Sequence, residues 1–158
     1  MKRATACPIA AGERLYTLAD FARLTSLRSA DVVQPDLAHC GGILMGKKVA
    51  ALAAVEDLRI APHCSIGPVA LAAALHFDVS TPNFMIQEAF SDFDVPWRND
   101  LVCGWNPIRN GEFVLGDQPG LGIELDESVI RAHPYVPKSF PSLWDKEWLT
   151  KFTQTEAG

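Results

Sequence analysis

The stretch DVVQPDLAHCGGILMGKKVAALAAVEDLRIAPHCS, residues 31–65, decides the fold. Its periodicity predicts a short apolar strand over 31–35, a helix rich in Ala, Leu and Val over about 43–55, and a second strand over 58–62, with polar residues where each strand ends. That is one βαβ unit. In a parallel unit both strands point the same way, so Asp36 and His63, 27 residues apart, leave the sheet side by side on its carboxyl edge. Open α/β sheets keep their chemistry on that edge. A carboxylate beside an imidazole fixes the ring's tautomer and raises its basicity, which suits a general acid or base working near neutral pH. Taken singly, each residue has a plainer reading: an aspartate at a strand end caps a helix, and a histidine is a surface or core residue. The register they share is what favours chemistry.

Outward from this unit the pattern repeats. Upstream, ATACPIAAG at 4–12 is apolar and ends at Glu13, and YTLADFARLTSLRSA at 16–30 places Leu18, Phe21, Ala22 and Leu24 or Thr25 at helical spacing. Downstream, Gly67 and Pro68 open a small-residue helix that Pro82 terminates, and NFMIQEA at 83–89 reads as another buried strand. Four strand ends in series therefore carry polar residues, Glu13, Asp36, His63 and Glu88, separated by 23, 27 and 25 residues. A rolling βα repeat of that length is the signature of a (β/α)8 barrel, whose active sites lie on the C-terminal face. Four units make half of one.

After Glu88 the repeat stops. Residues 96–122 hold Pro96, Gly104, Pro107, Gly111, Gly116, Pro119, Gly120 and Gly122 among short apolar pieces such as 112–115 and 122–125, which predicts loops, one short helix and small strands outside the repeat. The chain thus divides into a partial barrel over 1–98 and a return segment and tail over 99–158. In the tail, Trp144, Trp148 and Phe152 fall at helical spacing, a pattern that covers apolar surface.

Composition excludes some functions. The chain has 158 residues, 48% of them hydrophobic, enough for one domain with a sizeable core. A formal charge of -5 with the 14 Lys and Arg scattered leaves no basic patch for nucleic acid or an anionic membrane. No apolar run reaches the length of a membrane span, and MKRATACPIAAGE carries no apolar core of a signal peptide, so a cytoplasmic location is expected. Cys7, Cys40, Cys64 and Cys103 form no CxxC pair and are expected to be free thiols. Cys40 and Cys64 sit beside strand ends, where a small buried residue and a reactive one are equally good readings.

The segments PIAAGE at 8–13, VVQPDLAHCGG at 32–42, IAPHCSIGPVALAAALH at 60–76, IQEA at 86–89 and PGLGIELDE at 119–127 together resemble the C-terminal part of the mandelate racemase branch of the enolase superfamily, and within it acid-sugar dehydratases of the galactonate type. The resemblance implies an α/β fold: the C-terminal half of a (β/α)8 TIM barrel, about strands 5 to 8, plus an irregular C-terminal segment that packs on a missing capping domain. It implies that Glu13 is a ligand to a divalent metal, usually Mg²⁺, whose preference is for hard oxygen donors and whose charge stabilises an enediolate. For Glu13 the plainer reading is an acidic first-turn residue that complements a helix dipole. By the same matching, Asp36 and His63 resemble the family's Asp-His dyad, and Glu88 the acid that hydrogen-bonds the developing oxyanion. The histidine either protonates the leaving hydroxyl or exchanges the α-proton, and sequence leaves both open. His39, from the same loop as Asp36, is a candidate for substrate contact or a solvated loop residue. His76 and His133 receive no role.

A complete relative adds a capping domain, four earlier strands, two further metal ligands and a second acid/base. The resemblance therefore implies a fragment of a Mg-dependent dehydratase converting an aldonic acid to a 2-keto-3-deoxy acid, inactive or nearly so alone. Alternatives are a racemase or cycloisomerase of the same superfamily, or a non-catalytic truncated remnant. The implied partners are a small-molecule sugar acid and, through the two open sheet edges, a second copy or the missing half.

Overall fold

Parallel pairing, fixed by two crossovers of nearly equal length, sets the architecture. The computed structural model describes residues 5–90, 96–103 and 108–136. Its sheet has the order β1-β2-β3, with β1 at Ala10–Ala11, β2 at Val32–Val33 and β3 at Arg59–Ile60. The register runs Ala10 to Val32 and Val33 to Ile60, and backbone bonds extend the ladder on both sides, from Val32 N to Ile9 O and from His63 N to Pro35 O. Each apolar stretch is thus as long as its sequence predicts, although its fully paired part is two residues.

Helices cover one face. α1 spans Leu18–Ser26 and opens with a capping box, the Thr17 hydroxyl accepting from Asp20 N while the Asp20 carboxylate accepts from Thr17 N. A four-residue helix, α2 at Leu37–Cys40, precedes α3 at Gly42–Val55 and was not signalled by periodicity, being shorter than two turns. α3 begins within a residue of its predicted start. Gly46 lets it lie close to its neighbours: a Cβ there would sit 2.4 Å from Leu37 Cδ2 and 3.2 Å from a Phe77 ring carbon. α4 occupies Pro68–Val79. It stops before Pro82, because the Ser80 and Thr81 hydroxyls donate to Phe77 O at 2.9 and 2.6 Å and take up the carbonyl that another turn would use. Phe21, Val33, Val49, Ile60 and Phe77 fill the core between sheet and helices.

The fourth strand is a correction. Residues 83–89 contribute one parallel bridge, Phe84 to Ile60, with Met85 N donating to Ile60 O, while Met85 and Ile86 are exposed. Backbone bonds from Ile60 N to Asn83 O and from Glu88 N to Pro62 O extend the pairing, and side chains add to it: Asn83 donates to Ala50 O and Leu58 O, and Gln87 to Pro62 O. No strand flanks Phe84 on its other side among the described residues. The sheet is one half of a (β/α) barrel.

Beyond it a 3-10 helix at Pro96–Leu101 packs on α4 and on α5, Glu127–Ala132, where Trp97 stacks on His133 at 4.2 Å between ring centroids. β4 at Ile108–Arg109 and β5 at Glu112–Phe113 form a hairpin whose turn residues, Asn110 and Gly111, have φ of 53° and 79°. Positive φ at both is what a type I′ turn demands, and Asn-Gly supplies it. The predicted strand at 122–125 reduces to a single bridge from Leu125 to Val102. The aromatic tail with Trp144, Trp148 and Phe152 lies outside the described residues. No helix among the described residues is long and apolar enough to cross a membrane.

Candidate active site

Sheet register delivers the central pair. Asp36 and His63 are themselves parallel bridge partners, continuing the register of Val33 and Ile60, so their side chains emerge level with each other. Asp36 is at once a helix cap and the imidazole's neighbour. Its Oδ1 caps α2, accepting from Ala38 N at 2.8 Å and His39 N at 3.2 Å, while its Oδ2 lies 2.7 Å from His63 Nδ1. Asp36 is 2% exposed and His63 15%. A carboxylate has only acceptors to offer, so Nδ1 carries the hydrogen and Nε2 presents its lone pair away from Asp36. Two backbone donors and one ring donor leave Asp36 well compensated despite its burial.

Nε2 faces two further carboxylates: Glu13 Oε2 at 3.5 Å and Glu88 Oε2 at 3.8 Å. The four strand-end residues therefore gather around one imidazole. Glu13 follows Gly12, whose φ is 139° and whose added Cβ would meet Gln34 backbone atoms at 3.0 Å. Only glycine permits that approach, and it swings Glu13 over the sheet end, 55% exposed. Glu88 is 37% exposed, yet its Oε2 is covered and accepts no hydrogen bond among the described residues. Its backbone is anchored by Gln87, a buried side chain whose amide donates to Pro62 O and to Glu88 O. Sequence reasoning passed over Gln87; its place immediately before the strand-end acid was the available signal.

His39 stands at the rim. Its Nδ1 is 3.6 Å from Asp36 Oδ2, and its ring centroid is 6.0 Å from that of Tyr16, which is exposed in the loop between β1 and α1. The cysteines are free, and the two beside strand ends are buried. Burial pushes the Cys64 thiol up to about 11 and raises that of Cys40, with the Asp36 charge adding to it, so the unreactive reading wins. Among the described residues no three ligating side chains cluster to hold a metal ion. Glu13 is an accessible hard-oxygen donor, suited to Mg²⁺ but alone.

The sequence pattern of the family described as Enolase C-terminal domain-like matches residues 1–129. A D-gluconate/D-galactonate dehydratase of Picrophilus torridus is 43% identical over 129 residues, which are 82% of this chain and 33% of that protein. Among solved structures, a mandelate racemase/muconate lactonizing enzyme-like protein from Rubrobacter xylanophilus superimposes with a TM-score of 0.79 at 39% identity, over 89% of this chain and 35% of that one. An enolase from Agrobacterium radiobacter, described as a candidate galactarate dehydratase with bound Na and L-malate, gives 0.78 at 31% identity, over 89% of this chain and 40% of that one. The chain spans about a third of the length of the curated relative it matches.

Proposed function

The chain belongs to the Enolase C-terminal domain-like family, and on that premise we propose that it carries part of the active site of a metal-assisted acid-sugar dehydratase. The observation that supports this most directly is the 2.7 Å contact from Asp36 to His63 Nδ1, with Nε2 turned toward Glu13 and Glu88.

Proton exchange takes place at His63 Nε2. Asp36 keeps the hydrogen on Nδ1 and balances the positive charge that appears when Nε2 is protonated. In the proposed reaction the α C–H bond breaks and its proton goes to a base. The electron pair passes through the substrate carboxylate into the C2–C3 bond as the C3–O bond breaks, the protonated hydroxyl departs as water, and the enol left behind ketonises, its O2 proton leaving as C3 takes one up. His63 serves at one end of this sequence, taking the α-proton or protonating the hydroxyl. Glu88, in its protonated form, donates to the oxyanion that develops on the substrate carboxylate. His39 and Tyr16 at the rim meet the polyhydroxy chain. Among the described residues Glu13 is the one metal ligand on offer, the others coming from polypeptide outside this chain's span. The bound cation would supply charge that acidifies the α-proton. The chain alone is then inactive or nearly so, and its open edges associate with a second copy or a complementary half. The division at residue 98 belongs to the same proposal, with a cytoplasmic location.

Co-expression with the upstream two thirds of the Picrophilus torridus relative, followed by assay of aldonic acids with Mg²⁺, tests the reading. Formation of 2-keto-3-deoxy acid that disappears in His63→Ala is the expected result. Turnover that survives His63→Ala sinks it, and α-proton exchange in D₂O without loss of water points to racemisation instead.

A further inference from the structure

Away from the strand ends, α4 turns an acidic side chain into an apolar socket. Asp78 is 5% exposed, and neither of its carboxylate oxygens has a hydrogen-bond partner among the described residues. It lines a cavity of about 250 Å³ whose other walls, among the described residues, are Leu75, Val79, Phe84, Phe113 and Leu115. Helix α4, the last sheet edge and the β4–β5 hairpin thus enclose one anionic group in hydrocarbon.

An ionised carboxylate without donors in such surroundings is costly, and burial alone pushes its acid up to about 7. The chemistry of the complement follows. The volume falls below the roughly 300 Å³ at which small-molecule sites begin, and suits a single long side chain. Apolar walls take a methylene stem, and the two covered, unpartnered oxygens call for a head with several donors that reaches them as the socket fills. A metal ion would find one carboxylate and five hydrocarbon neighbours. Phe84, one wall, stands on the sheet edge that no further strand flanks among the described residues, and the curated relative is about three times as long as the matched region. In a complete (β/α)8 barrel a further strand pairs along that edge.

We propose that the Asp78 socket receives an arginine or lysine side chain from polypeptide packed along the Phe84 edge, its stem on Leu75, Phe113 and Leu115 and its cationic head on the carboxylate. The assignment rests on the fold and is independent of the chemistry at the strand ends.

Titration of the chain at pH 8 with n-butylguanidinium, and with uncharged n-pentanol, tests it, with the aromatic resonances of Phe113 as the readout. Saturable butylguanidinium binding that weakens at least tenfold in Asp78→Asn, with pentanol binding unaffected, is expected. Asp78→Asn keeps the side chain's shape, and Phe113→Ala supplies a second variant that keeps the charge and should weaken butylguanidinium several-fold. No binding to the wild-type chain, or equal binding to Asp78→Asn, overturns the proposal. Sedimentation of both proteins settles the source: self-association abolished by Asp78→Asn would give the socket to a second copy and overturn the assignment, and association indifferent to the substitution supports it.

Discussion

Two aspartates lie buried among the described residues, and their surroundings treat them in opposite ways. Asp36 has two backbone N–H groups on one oxygen and an imidazole on the other, whereas Asp78, almost as buried, has no donor on either among the described residues. Burial by itself therefore says little about what an acid does. Asp36 sits where a strand ends and a helix begins, so free N–H groups converge on it. Asp78 sits in the last turn of a helix, where backbone donors are already used and only side chains could answer it.

The sharpest way to break this contrast is Asp36→Ala, which removes a buried pair and a helix cap together. It should destabilise the fold by roughly 5 kcal/mol in urea unfolding at pH 7; a loss under about 1 kcal/mol would mean that the pair is not formed. Asp78→Asn should act in the other direction and with a pH signature. Because the folded carboxyl titrates near 7 rather than 3.8, the folded state holds its proton more tightly. Stability is then greatest below about pH 4, falls as pH rises, and reaches its low plateau above about 7. The slope integrates to about 4 kcal/mol as an order of magnitude, and the Asn variant should abolish it. His63→Ala keeps the cap on α2 and leaves Asp36 Oδ2 without its partner, so about 2 kcal/mol is expected from the same unfolding curves. The smallest effect belongs to Asp126→Ala. Asp126 caps α5 through Ser128 N and Val129 N as Asp36 caps α2, but is only partly buried and has no histidine beside it among the described residues. A displacement of its unfolding midpoint as large as that of Asp36→Ala would show that capping, and not the imidazole, dominates at residue 36.

How much of this was legible beforehand depends on what each feature needs. The Asp36 and His63 adjacency needs only a parallel βαβ unit of fixed register, and the 27-residue spacing equals that register. Glu13 and Glu88 were legible as strand-end acids, and their convergence on Nε2 followed from barrel topology. The α2 helix was hidden because four residues carry no period. The buried strand read over 83–89 is only partly realised: the segment pairs with β3 through one bridge, and with no strand on its far side among the described residues Met85 and Ile86 stay exposed. Asp78 was invisible as a site. In HFDVSTP an aspartate near a helix end reads as solvated, and its burial depends on Phe113 and Leu115, far along the chain.

Gly46 ties the outer layer to the chemistry. Its missing side chain leaves room for Leu37, the residue directly after Asp36, so the helix layer and the sheet end share one fitted joint. A single methyl at position 46 would act like a wedge driven into a hinge plate. The imidazole's aim would drift with it, and a packing defect on the outside of the barrel would surface as a misplaced side chain at the strand ends inside.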